Sequence, residues 1–207
     1  MITTTVLSVK KGLQERIVRE AGRLLREGKL VAIPTETVYG LGVHLENKEA
    51  VERLYEVKGR PKEKALTLAI ASLTDLKKHR LILSPAAKRL IERFWPGPLT
   101  LLLRNEEGEK IGVRMPGHPL AKRVIQAAGV PIGLPSANPS GKEPPRSAGE
   151  VLTYFDGAID LILDGGQTEF GVSSTVVDLA EPRWGVVREG TISRKEIQEA
   201  CRGLSGF

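Results

Sequence analysis

Apolar runs of strand length alternate along the chain with amphipathic stretches of helix length, the order that an α/β sheet with crossover helices requires. The strand-like runs are Thr4–Val9, Leu30–Pro34, Leu66–Ala71, Leu99–Leu103, Ile111–Arg114, Ile132–Pro135, Leu161–Leu163, Thr175–Leu179 and Gly185–Arg188. The helix-like stretches are Leu13–Arg26, Lys48–Lys58, Pro85–Phe94, Leu120–Ala128, Ala148–Tyr154 and Arg194–Arg202. Ser147 and Ser193, each followed three residues later by glutamate, have capping-box spacing, and Ser84 precedes Pro85 at a first helical position. Gly59 and Gly129 stand where C-terminal caps belong. The pattern predicts a large mixed sheet with flanking helices, and no repeat or Gly/Ser linker divides it, so residues 1–207 read as one domain.

Composition narrows the class. The chain has 207 residues and one cysteine, Cys201, so no disulfide can form within it, which fits a reducing cytoplasm. No apolar run reaches the roughly 18 residues of a membrane span, and a formal charge of +6 favours anionic partners such as nucleotides or RNA.

Three segments at strand or helix ends carry candidate chemistry. Pro34-Thr35-Glu36-Thr37-Val38-Tyr39-Gly40-Leu41-Gly42 sets hydroxyls and flexible backbone after a strand, and reads equally as a turn with Tyr39 as core filler. Lys58-Gly59-Arg60-Pro61, with Lys62 and Lys64 following, places four cations on one short loop that could grip a polyphosphate. Read alone, the same cations are a dipole-favourable helix cap. Pro135-Ser136-Ala137-Asn138-Pro139-Ser140-Gly141 puts small polar groups beside a strand end, and Arg114, Ser173-Ser174-Thr175 and Arg188 share that placement. Three scattered histidines and a single cysteine make neither a zinc set nor a cysteine dyad, and no metal-ligand group is predicted. What remains is hydroxyls, amides and cations, an inventory suited to phosphoryl or nucleotidyl chemistry.

Taken in order, PTETVYGLG, KGRP, the Arg114 segment, PSANPSG, Ser173–Asp178 and the Arg188 strand resemble the YrdC-like family, the threonylcarbamoyl-AMP synthases, over roughly residues 13–200. The resemblance implies a twisted α/β fold around a large, positively charged cavity. It implies conversion of L-threonine, bicarbonate and ATP into threonylcarbamoyl-AMP and pyrophosphate, for later transfer to position 37 of tRNAs by downstream threonylcarbamoyl-transferase proteins. The family's Lys-x-Arg motif falls on Lys58 and Arg60, expected to act in catalysis and ATP binding, and its Ser-x-Asn motif falls on Ser136 and Asn138. Lys64 and Arg188 are further candidates for ATP. Thr35 or Thr37, Arg114 and Ser174 match the threonine-holding positions, while Ala69 departs from a histidine of some longer members. Mg²⁺ is expected with ATP as substrate, without a dedicated carboxylate cage. Longer members add a C-terminal domain, and this chain resembles the short form. The rival expectation is a non-enzymatic binder of structured RNA, tRNA or double-stranded RNA, motivated by the charge and by Lys77, Lys78 and Arg80.

Overall fold

The computed structural model describes residues 3–9, 14–181 and 183–204. Their strands are β1 (Thr5–Ser8), β2 (Val31–Ile33), β3 (Gly40–His44), β4 (Leu68–Ala69), β5 (Leu99–Arg104), β6 (Lys110–Arg114), β7 (Ile132–Gly133), β8 (Leu161–Asp164), β9 (Thr175–Asp178) and β10 (Gly185–Arg188). They form one mixed sheet in the order β1-β8-β2-β3-β7-β4-β6-β5-β9-β10. The helices are α1 (Gln14–Arg26), α2 (Lys48–Lys58), α3 (Thr74–Lys78), α4 (Pro85–Phe94), α5 (Pro119–Ala128), α6 (Ala148–Phe155) and α7 (Arg194–Ala200). Leu13, the expected first residue of α1, lies outside the described residues.

The helix boundaries follow the chemistry of their ends. Ser84 and Ser147 accept hydrogen bonds from Ala87 N and Glu150 N, and Ser193 with Glu196 forms a complete capping box. Gly59 and Gly129 close α2 and α5 in the left-handed conformation, which costs a residue without Cβ little. Two elements depart from the periodicity. Gly40–His44, read as part of a ligand loop, is a buried strand antiparallel to β2, and Thr74–Lys78 adds a short helix where no element was expected.

Packing divides the sheet into two unlike halves. In the half that contains β2 and β8, both faces are covered. Val31, Ile33, Leu161 and Leu163 pack with α1 and α5, whereas Ala32, Ile162, Leu41 and Val43 pack with α2 and α6. Helices α1 and α5 approach so closely that a Cβ on Gly22 would stand 2.7 Å from the Ala127 carbonyl carbon. In the other half, Leu68, Leu99, Leu101, Leu103, Val113 and Val177 join α3, α4 and α7 in one cluster. Strand side chains alternate between faces, so Thr67, Ala69, Thr100, Leu102, Gly112, Arg114 and Val176 turn away from that cluster. None of them belongs to any of the three apolar clusters. A sheet face left without an apolar cover is where polar side chains can meet a ligand, and the predicted motif residues border it.

Candidate functional site

The Lys-x-Arg segment ends α2. Lys58 is not a solvated cap: it is 2% exposed, and its ammonium donates to Ser136 O at 2.5 Å and to Asn138 O. Ser140 N in turn donates to Lys58 O at 2.7 Å. Lys58 thereby fastens the 136–140 loop to the end of α2 and uses two of its three donors. Burial first, and the neighbouring Arg60 second, bring its pKa down to about 8. Arg60 donates through Nε to Lys64 O at 2.9 Å and through NH2 to Ala65 O at 2.8 Å, which holds the segment after Pro61 in place. Lys64 itself is exposed. Asn138 spends its amide on Pro139 O and Lys142 O, and its Oδ1 is a buried acceptor with no partner.

The segment after β2 forms the next wall. Thr35 donates to Val38 O at 2.6 Å, so in the 2.9 Å contact between the Thr35 and Thr37 hydroxyls it is Thr37 that donates. Neither hydroxyl keeps an uncommitted proton. Between them Glu36 is buried and forms a 2.7 Å ion pair with Arg114 NH2, which also donates to Thr37 Oγ1 at 2.9 Å. His118 N donates to the second Glu36 oxygen at 3.3 Å, and Arg114 Nε donates to Gly97 O at 3.2 Å. Burial pushes the Glu36 carboxyl up, but the adjoining guanidinium and hydrogen bonds outweigh it and hold the group below the usual carboxylate range. Tyr39 is core, as its bland reading has it. Its hydroxyl donates to Gly166 O at 2.8 Å and accepts from Gly165 N, and burial pushes its pKa up to about 12.

The far rim comes from β5, β9 and β10. Ser174 Oγ and Thr100 Oγ1 lie 2.9 Å apart, both buried. Arg188 donates to Ser174 O through Nε at 3.2 Å and through NH2 at 2.8 Å. Thr175 Oγ1 donates to Ile192 O and accepts from Gly190 N and Ile192 N, which ties the chain after β10 against β9. Gly190 is required there, because a Cβ would fall 2.1 Å from Ser173 O.

These contacts share one design. Arg60, Arg114 and Arg188 are each anchored through Nε and NH2, while NH1 of each makes no hydrogen bond among the described residues. The guanidinium groups feel one another. Burial, then Arg114, then Arg60 lower the Arg188 pKa. Of the four cations only Arg114 has a carboxylate partner among the described residues, so the site presents a surplus of positive charge to whatever enters. Thr35, Tyr39, Thr67, Ala69, Arg114 and Ser136 line a hollow of about 30 Å³.

The structure thus brings together Lys58, Arg60, Ser136 and Asn138 on one side and Thr35, Thr37, Arg114, Ser174 and Arg188 on the other. Sequence reasoning passed over Glu36 and Thr100. Glu36 sits between two hydroxyls after a strand with Arg114 in need of a counter-ion, and that demand is the signal that could have found it. The cations offered for RNA are largely neutralised: Lys78 pairs with Asp75 and Arg80 with Glu106 and Glu107. No described helix is long and apolar enough to cross a membrane, and no three His, Cys, Asp or Glu side chains cluster for a metal among the described residues.

Residues 23–190 match the Sua5/YciO/YrdC family model, described as "Telomere recombination". A threonylcarbamoyl-AMP synthase of Pyrococcus abyssi is 42% identical over 205 residues, covering 95% of this chain and 60% of that protein. A Bacillus subtilis protein of the same name is 44% identical over 191 residues, covering 87% and 55%. The chain therefore spans little more than half the length of these curated relatives. The crystal structure of Pyrococcus abyssi Sua5 complexed with L-threonine superposes with a TM-score of 0.86 at 42% identity, covering 97% of this chain and 60% of that one. Escherichia coli YciO, a chain covered completely, gives 0.82 at 28% identity, with 95% of this chain covered.

Proposed function

The chain belongs to the Sua5/YciO/YrdC family, and on that footing we propose that it is an L-threonylcarbamoyladenylate synthase, a nucleotidyltransferase acting within one domain on L-threonine, bicarbonate or CO₂, and ATP. The observation that carries the reading is the mutual proximity of Lys58, Arg60, Arg114 and Arg188, of which Arg114 alone is paired with a carboxylate among the described residues. Such a site demands anions, and ATP with an amino-acid carboxylate supplies them.

In this reading Lys58, Arg60, Lys64, Ser136, Asn138 and Arg188 form the nucleotide half. The third proton of Lys58 and the NH1 groups of Arg60 and Arg188 hold phosphate oxygens and offset charge that grows as pyrophosphate departs. Ser136 and the orphan acceptor Asn138 Oδ1 face polar groups of the nucleotide. Arg114 NH1 takes the threonine carboxylate, Ser174 with Thr100 offers hydroxyls to the same substrate, and Thr35 and Thr37 shape the wall behind Arg114.

The threonine amine adds to CO₂ and releases a proton to solvent, giving a carbamate. A carbamate oxygen then attacks the α-phosphorus of ATP, the bond to the bridging oxygen breaks, and pyrophosphate leaves. The protein forms no covalent bond. Its part is alignment and charge, which is the usual protein contribution to phosphoryl chemistry. Mg²⁺ belongs with ATP as substrate, because the one carboxylate in the site is already engaged with Arg114 and His118 N. The adenylate is then passed to the proteins that modify position 37 of tRNA in the cytoplasm.

The test is mass spectrometry of the products from ATP, threonine and bicarbonate, with pyrophosphate release in parallel. A new adenylate that requires all three substrates is expected. ATP turnover indifferent to threonine, or none at all, would overturn the proposal.

A further inference from the structure

We infer that Glu36 is a positioning residue whose carboxylate fixes Arg114 so that a single guanidinium nitrogen, NH1, receives the carboxylate of the amino-acid substrate. The inference rests on the threonine reading of the site and adds to it a residue that no other observation assigns.

Arg114 has five N–H donors, and its natural mode toward a carboxylate is a two-pronged fork through NH1 and NH2 or through Nε and NH2. Here Glu36 Oε1 and Thr37 Oγ1 occupy NH2, and Gly97 O occupies Nε. Both forks are closed to a second carboxylate, and NH1 is the one guanidinium nitrogen with no hydrogen bond among the described residues. An incoming carboxylate is therefore offered NH1 alone on Arg114 and takes its remaining hydrogen bonds from other groups of the site.

Glu36 is itself held without slack. Its second oxygen accepts from His118 N, its own backbone O accepts from Phe170 N at 2.9 Å, and Gly117 lies so near that a Cβ there would be 3.4 Å from the Glu36 carboxyl carbon. The 114–118 segment thus surrounds the carboxylate while Phe170 pins the Glu36 backbone. A buried ion pair of this kind is poor value for stability, because desolvation cancels much of the attraction. Its use is orientation: an unpaired Arg114 among Arg60 and Arg188 would be repelled by both and would sample other rotamers. Glu36 also brings the local charge down by one, so the site does not hold ATP so tightly through Arg114 that threonine is excluded.

The experiment compares steady-state kinetics of the full chain and its Glu36→Gln variant, with threonine and ATP varied separately and melting temperatures recorded. For Glu36→Gln, the threonine KM is expected to rise at least tenfold while the ATP KM stays within about twofold and kcat at saturating threonine within about threefold. Glu36→Asp, which keeps the charge on a shorter arm, is expected to fall between the two. A wild-type threonine KM in Glu36→Gln overturns the inference, as does an equal rise in both KM values with a lowered melting temperature, the mark of a merely structural role. Should Glu36→Gln fail to fold, Thr37→Val removes the other acceptor on NH2. A threonine KM raised about threefold supports the inference, and an unchanged one overturns it. Wild-type protein without threonine-dependent turnover defeats the functional proposal itself, a different result from any of these.

Discussion

The protonation of Lys58 should be readable in the affinity for ATP. Its ammonium is buried, shares the site with Arg60 and has a pKa of about 8, against an ordinary value of 10.5. At pH 7 about nine-tenths of the unliganded protein carries the charge, and at pH 9 only about one-tenth does. Polyphosphate raises the pKa in the complex, so the dissociation constant is flat below pH 7 and climbs toward tenfold per unit above pH 8. It should reach about thirtyfold at pH 9.5. The assay is calorimetric titration with a non-hydrolysable ATP analogue at fixed excess Mg²⁺. Lys58→Arg, which stays charged throughout, should bind with little pH dependence. A wild-type constant at pH 9.5 within twofold of that at pH 7, or an equal slope in Lys58→Arg, would refute the reasoning. The same ionisation acts on stability with a definite sign. Because the folded pKa lies below the unfolded one, the charged form destabilises the native state fully below pH 8, and that loss fades as pH rises toward 10.5, where the unfolded chain binds more protons. A drop of 10.5 to about 8 corresponds to on the order of 3 kcal/mol.

Other outcomes follow from the same contacts. Arg60→Lys should weaken ATP-analogue binding at least tenfold, since one ammonium cannot hold Lys64 O, Ala65 O and a phosphate in the geometry of a fork. Gly22→Ala should cost about 1–3 kcal/mol by overpacking α1 against α5, seen as a lower midpoint in denaturant with no change in slope. Gly190→Ala should push Ser173 and Ser174 aside and raise both KM values, that of threonine through Ser174 and that of ATP through Arg188, which is anchored on Ser174 O. Chelation of Mg²⁺ should abolish pyrophosphate release and leave the melting temperature of the unliganded protein unchanged.

The parts legible in the sequence were those decided locally. Lys48–Lys58 and Pro85–Phe94 begin at side-chain caps, the first closes on a left-handed glycine, and both keep their expected bounds. What could not be read was decided at a distance. Lys58 resembles a solvated helix cap until the 136–140 loop, 78 residues away at Ser136, folds over it. Strand β3 escaped because Gly40-Leu41-Gly42-Val43 shows no alternation of apolar and polar side chains and its glycines read as turn residues. Their lack of Cβ is what lets Leu134 and Leu25 pack against the strand. Glu36 was overlooked for a related reason: an acid in an anion-binding site looks misplaced until its partner, Arg114, is seen.

The uneven covering of the sheet has an evolutionary corollary. On β5, Leu99, Leu101 and Leu103 are answerable to the interior, whereas Thr100 between them turns to the other face and pairs with Ser174. One strand thus carries two independent sets of requirements at alternate positions. Side chains such as Thr100 and Ala69 can be exchanged to suit a different ligand without disturbing the leucines behind them, so this scaffold can change what it binds while keeping what makes it fold.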